Sequence, residues 1–183
     1  MRAFIAVDLE NEEVRSRLER VQKVMESTGA VMKLVEPRNF HVTLKFLGEI
    51  NEDLVPKIES LLREAIDLRP FTVTFKGLGA FPNKYRPRVV FVNVRSDEMS
   101  KLMELVDKTV HKLGFELERR GYVPHLTIAR VKARGYLLTD LIEKYEEEEF
   151  GSMLVKEIRL KKSKLTPQGP IYSTIFSIPL EGE

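Results

Sequence analysis

His41-Val42-Thr43-Leu44-Lys45-Phe46-Leu47-Gly48 is echoed 84 residues later (125 − 41) by His125-Leu126-Thr127-Ile128-Ala129-Arg130-Val131. Each stretch opens on His, places Thr two residues on, and alternates polar with apolar side chains, the pattern of a half-buried strand. The 183 residues contain only three histidines, so two of them share one local setting. Alternation puts His41 and Thr43 on one strand face, and likewise His125 and Thr127. Val42, Leu44 and Phe46 are then expected in the core, as are Leu126 and Ile128.

Outward from these stretches the chain repeats itself. Residues 4–9 read as a short buried strand. Asn11 is placed to cap a helix carrying Val14, Leu18, Val21 and Met25 at helical spacing, with Gly29 as its stop. Residues 31–35 form a short strand candidate before the first His strand. Asn51 opens a second helix carrying Leu54, Ile58, Leu61, Leu62 and Ala65, and residues 71–75 alternate as a strand. Residues 77–87 are a Gly/Pro-rich connection. A strand at 89–94 follows, then a helix capped by Ser96, striped by Leu102, Leu105, Val106, Val110 and Leu113, and closed by Gly114. The second His strand spans 123–131, and an acidic helix runs from 137 to about 148. The last strands are expected at 155–165 and 171–180, joined by the turn Pro167-Gln168-Gly169-Pro170.

Strand, helix, His strand, helix, strand thus occurs over 4–75 and again over 89–161, with 171–180 as an added C-terminal strand. A duplication of this kind implies two α+β units related by a pseudo-twofold axis within one domain spanning 1–183. Equivalent residues can meet at such an axis, which makes the two histidines candidates to converge.

Composition narrows the chemistry. No apolar run approaches a membrane span, and Met1 to Asp8 meets an acid too soon for a signal peptide, so a cytoplasmic protein is the default expectation. The absence of cysteine excludes disulfides, thiolate metal sites and cysteine nucleophiles. Abundant Lys and Glu, with only Gln22 and Gln168 as glutamines, lean towards a heat-adapted source. The net charge is only +2, yet acids gather at 146–149 and bases at 84–88, 130–134 and 159–164. Such segregation fits either a polyanionic ligand held at one place or scattered solvated charge.

Two imidazoles and two hydroxyls around one space suit a phosphodiester. One imidazole can accept the proton of the attacking oxygen while the other protonates the leaving oxygen, since an ordinary pKa near 6.5 permits either state at neutral pH. Thr43 and Thr127 can donate hydrogen bonds to non-bridging phosphate oxygens. His-x-Thr is not metal-ligand spacing, Gly77-Leu78-Gly79 lacks the third glycine of a dinucleotide loop, and no Walker loop or Lys-x-Asp-Gly ligase signature occurs. No metal and no cofactor are expected. His111 lies off its helix stripe and reads as surface. Lys45 has the parity of the His face. Phe81 and Tyr85 could stack on a base, with core packing the stronger expectation for Phe81 and a surface place for Tyr85.

The paired motifs His41-Val42-Thr43-Leu44 and His125-Leu126-Thr127-Ile128 resemble those of the 2H phosphoesterase superfamily. With the flanks Lys45 to Gly48, Arg86-Pro87-Arg88-Val89, Ala129-Arg130 and Gly169-Pro170-Ile171-Tyr172, the chain is similar to the RNA 2',3'-cyclic phosphodiesterase family, also called 2'-5' RNA ligase. The resemblance implies a bilobal α+β fold whose antiparallel sheets line a central cleft. It implies hydrolysis of an RNA 2',3'-cyclic phosphate to a 2'-phosphate, with His41 as proton donor and His125 as acceptor. With a 5'-hydroxyl as partner the same groups would form a 2'-5' linkage reversibly and without ATP. Arg130 matches the family's basic residue after the second motif and would bind phosphate, although strict alternation turns it away from His125 unless the strand bulges. The expected partner is RNA ending in a cyclic phosphate, with tRNA fragments one candidate source, and neither a membrane nor an obligatory protein partner is expected. An RNA-end binding module, or a related enzyme acting on 2'-5' oligonucleotides or small cyclic nucleotides, are the alternatives.

Overall fold

The computed structural model describes residues 1–182. Its strands are β1 (Arg2–Asp8), β2 (Val31–Leu34), β3 (His41–Glu49), β4 (Phe71–Phe81), β5 (Val89–Arg95), β6 (His125–Ala133), β7 (Glu149–Val155), β8 (Glu157–Thr166) and β9 (Gly169–Pro179). Its helices are α1 (Glu12–Glu26), α2 (Val55–Ala65), α3 (Asp97–His111) and α4 (Thr139–Lys144). The caps follow side-chain chemistry. Asn11 accepts a hydrogen bond from the Val14 amide at 2.9 Å, and Ser96 accepts one from the Met99 amide at 3.1 Å. Asn51 instead caps a short 3-10 turn, Glu52–Leu54, that leads into α2. No described helix is long and apolar enough to cross a membrane.

The strands form one sheet in the order β7-β4-β5-β6-β3-β1-β8-β9, with β2 on the free part of β6, and every pairing is antiparallel. The fold is therefore α+β, with two antiparallel half-sheets. Their junction is a single ladder pair, Val42 opposite Leu126. One half is β3-β1-β8-β9 and the other is β6-β5-β4-β7.

These halves differ from the sequence repeats. β4 ends the first repeat but pairs with β5 of the second, and β8, which follows the second His strand, returns to pair with β1. The helices cross over too, with α1 packed beneath β6 and β7 and α3 beneath β3. Leu18, Met25, Phe40, Ile58, Leu62, Phe75, Met99, Leu102, Leu126 and Ile128 are fully buried in one core that both repeats share. Each such side chain contributes roughly 1.5–3 kcal/mol through burial, so neither repeat retains its core without the other.

Two stretches depart from expectation. β4 continues through Gly77 and Gly79 to Phe81, where a loop beginning at residue 77 was expected. The glycines serve close approach: a Cβ on Gly77 would lie 2.3 Å from the Glu146 carbonyl oxygen, and one on Gly79 would lie 2.8 Å from the Phe91 ring. The acidic helix ends at Lys144, and Glu149–Val155 forms β7 against β4. Its buried positions Phe150, Met153 and Val155 do not alternate strictly because Gly151, at φ 130°, breaks the pleat.

Candidate active site

The single pair Val42 and Leu126 sets the geometry. Both side chains are buried, so their neighbours along the strands turn to the opposite, open face. Extending the antiparallel register by one residue sets His41 beside Thr127 and Thr43 beside His125. The four side chains singled out by the repeat thus occupy adjacent positions on adjacent strands, and each is half-buried.

Each imidazole is oriented by a backbone carbonyl two residues upstream. His41 Nδ1 lies 2.7 Å from the Asn39 oxygen and His125 Nδ1 lies 3.0 Å from the Val123 oxygen. A carbonyl can only accept, so each Nδ1 carries a hydrogen and each Nε2 is left for the cleft. His41 Nε2 sits 3.1 Å from Thr43 Oγ1. Each ring also packs against a pair of aromatics that touch one another. Phe4 and Tyr172 lie against His41 at centroid distances of 4.9 and 5.4 Å, while Phe81 and Phe91 lie against His125 at 5.2 and 5.1 Å.

Burial lowers the pKa of His41 below its ordinary 6.5. The Asn39 carbonyl and the Asp8 carboxylate oppose that shift, and Lys161 and Arg130 add to it. Asp8 pairs with His41 across β1 and β3, and it accepts hydrogen bonds from Arg159 Nη1 at 2.7 Å and Lys161 Nζ at 2.8 Å.

Arg130 reaches the open face through a bulge. Phe91 pairs with Thr127 and Val90 with Ala129, which leaves Ile128 as an extra residue in β6. Ile128 and Ala129 both point into the core at 0% exposure, and alternation resumes with Arg130 on the side of Thr127. The Ile128 carbonyl accepts hydrogen bonds from the Val35 amide and from Gln22 Nε2, each at 3.0 Å. Arg130 is close enough to influence both His41 and Tyr172 electrostatically.

The same slip occurs in β3. Ala6 pairs with Thr43 and Ile5 with Lys45, so Leu44 is the extra residue. Lys45 therefore turns to the helix layer, against the expectation that it shares the His face. There it donates a 2.7 Å hydrogen bond to Asp107 Oδ1 on α3. Phe46 turns out of the core to 52% exposure, with the Arg2 guanidinium 5.2 Å from its ring centroid. Phe81 is likewise not a core residue: it is 43% exposed and presents its ring to His125. Tyr85 and His111 are exposed, as expected.

Phe4, Phe91, Tyr172 and Asp8 are site residues that the motif reading missed. A signal existed for the first two, because each is the third residue of the strand that opens its repeat. Among the described residues no group of three or more His, Cys, Asp or Glu is placed to hold a metal ion. The open face instead offers two imidazole Nε2 edges, two hydroxyls and a guanidinium, a set matched to a small anionic group.

Known proteins share this chain's sequence pattern and fold. The chain is 41% identical over 176 residues to the RNA 2',3'-cyclic phosphodiesterase of Archaeoglobus fulgidus, covering 96% of this chain and 98% of that protein. It is 43% identical over 177 residues to the RNA 2',3'-cyclic phosphodiesterase of Methanothermobacter thermautotrophicus, covering 94% and 95%. A crystal structure of a Thermus thermophilus protein superposes with a TM-score of 0.85 at 33% identity, covering all of both chains. The family model described as LigT like phosphoesterase matches twice, over residues 7–91 and 92–172, and the two matches divide the chain between the two His strands. The chain belongs to the LigT-like phosphoesterase family.

Proposed function

We propose that the cleft hydrolyses RNA 2',3'-cyclic phosphate ends to 2'-phosphates by general acid–base catalysis with His41 and His125. The observation that carries this reading is the antiparallel pairing at Val42 and Leu126, which sets both His-x-Thr pairs around one open space. The names of the relatives point to the same substrate class.

In this scheme His125 Nε2 takes a proton from water, whose oxygen attacks phosphorus. The bond from phosphorus to O3' breaks as His41 Nε2 delivers its proton to O3'. The products are a 2'-phosphate and a 3'-hydroxyl. Thr43 and Thr127 donate hydrogen bonds to the non-bridging oxygens, and the Arg130 guanidinium stabilises the charge that builds on them. Substituting an RNA 5'-hydroxyl for water gives a 2'-5' linkage by the same proton transfers, with no ATP consumed. No step requires a metal ion.

An oligonucleotide ending in a 2',3'-cyclic phosphate tests the scheme. His41→Ala and His125→Ala should each lower turnover by about 10²–10⁴-fold, and chelator should leave the wild-type rate unchanged. Wild-type turnover in either variant would sink the acid–base pair. Tight binding of the end with no product, even at excess protein, would favour a binding module. Faster turnover of 2'-5' dinucleotides or small cyclic nucleotides would reassign the substrate.

A further inference from the structure

A cavity of about 450 Å³ lies at the Arg130 end of the cleft, bounded by residues 85–88 on one side and 131–136 on the other. The size falls within the range of roughly 300–1,000 Å³ usual for ligand sites. Its polar lining is Arg86, Arg88, Lys132 and Arg134, and its aromatic lining is Tyr85 and Tyr136, at 62% and 65% exposure. Among the described residues none of these four cations has a carboxylate partner. Lys84, just outside, is by contrast held by Glu143 and Glu146.

The walls are built for this opening. A Cβ on Gly135 would fall 2.8 Å from the Pro87 carbonyl oxygen, so glycine lets the two segments meet at the floor. Arg134 adopts φ 53°, the left-handed region that an arginine enters only when surrounding structure imposes it. The link to the cleft runs along β6: Val131, the residue after Arg130, lines the cavity, and its amide donates to the Arg88 carbonyl oxygen at 2.8 Å.

We propose that this cavity holds the RNA strand on the 5' side of the terminal cyclic phosphate, stacking a base on Tyr85 or Tyr136 and binding its phosphates through Arg86, Arg88, Lys132 and Arg134. A cyclic phosphate occupies the 3' end, so the remaining strand can leave the cleft only in the 5' direction. The stretch from Arg130 to Arg134 spans about 13 Å of extended chain, a reach of roughly two nucleotides. Cations combined with exposed rings are the pairing that single strands require, whereas a free phosphate would use only the cations. The inference rests on the phosphodiesterase reading for the strand's direction.

Two measurements on the intact chain test it separately from that reading. In the first, kcat/KM is compared for a cyclic mononucleotide and a trinucleotide ending in a cyclic phosphate. Wild type should prefer the trinucleotide, and Tyr85→Ala with Tyr136→Ala should shrink that preference by about tenfold or more. An undiminished preference, or an equal fall on both substrates, overturns the subsite. In the second, fluorescence anisotropy follows binding of a labelled trinucleotide ending in a 3'-phosphate, which needs no turnover. Weakening by the same pair of substitutions, and a shallower salt dependence in Arg86→Ala with Arg134→Gly, supports the subsite even if no hydrolysis is found. Binding equal to wild type in both variants overturns it.

Discussion

The two walls of the cleft share a frame and differ in what it presents. Both carry His and Thr on the open face, both fix Nδ1 on a carbonyl two residues upstream, and both slip by one residue after the motif. The slip delivers Lys45 to the helix layer in one wall and Ala129 in the other. One residue on, it delivers Phe46 to the open face of the first wall and Arg130 to that of the second. Their surroundings differ as well, since the carbonyl bond of His41 is part-buried and that of His125 is exposed. The two matching backbones differ in the side chains at two equivalent positions, which make one wall a structural brace and the other the proposed anion site.

Replacing the brace should have the largest effect. Lys45 Nζ binds Asp107, which is 1% exposed and also accepts hydrogen bonds from Tyr122 Oη at 2.7 Å and the Glu118 amide at 2.9 Å. The bulge lysine of the first wall thereby steadies the loop that leads into His125 of the second. Lys45→Met leaves a buried carboxylate without its cation and should cost about 3–5 kcal/mol in urea unfolding. Lys45→Met with Asp107→Leu should recover most of it. Burial alone would raise the Asp107 pKa, but Lys45, Tyr122 and the Glu118 amide outweigh it and hold it below 3.8. Its stabilisation is therefore present above 3.8 and lost as pH falls through the lowered value. Tyr122 is pushed from 10.0 to about 12 by its bond to Asp107, so its contribution is complete below 10 and lost as pH rises through 12. Tyr122→Phe should abolish that alkaline loss.

The proposed anion site comes next. Arg130→Ala should lower kcat/KM on a cyclic-phosphate end by about 10²–10³-fold, the range for losing a charge-stabilising donor. Phe46→Ala, at the equivalent position, should change it less than about threefold. Equal losses at the two positions would break the distinction between the walls.

A smaller effect should come from the support beneath the second bulge. Gln22, 4% exposed, bonds the Val35 and Ile128 carbonyls at 2.8 and 3.0 Å. Gln22→Leu should cost about 1–3 kcal/mol and lower activity in proportion to any displacement of Arg130. Full stability in this variant would show that the Val35 amide alone satisfies the bulge.

The repeat, the helix caps and the apolar stripes were legible because each depends on local periodicity or on one side chain near one backbone group. Asn11, Ser96 and the stripe from Val14 to Met25 are of this kind. The bulges were not, because one extra residue in a ladder leaves no local trace and reverses every later position. Lys45 and Phe46 were misplaced for that reason, and Arg130 raised a difficulty with the same solution. β7 was hidden by Glu-rich sequence and by Gly151, and its existence depends on β4 waiting beside it. The aromatic pairs at the histidines join strands distant in sequence, as with Phe4 and Tyr172, which only the exchange of β8 into the first half brings together.

The finest prediction concerns the proton affinity of His41. Burial, to which the Phe4 and Tyr172 rings packed against it contribute, keeps His41 below 6.5, so in the free protein at neutral pH it is mostly neutral. A proton donor must carry its proton, and kcat/KM reports the free enzyme while kcat reports the complex. The alkaline limb of kcat/KM should therefore begin below pH 6.5. An anionic phosphate beside the imidazole favours its protonated form, so the limb of kcat should lie at higher pH. Tyr172→Ala removes part of the burial and should move the kcat/KM limb upward, towards the ordinary histidine value, whereas Phe81→Ala on the opposite wall should not. A limb unmoved by Tyr172→Ala belongs to some other group, and the donor role would then pass from His41 to His125.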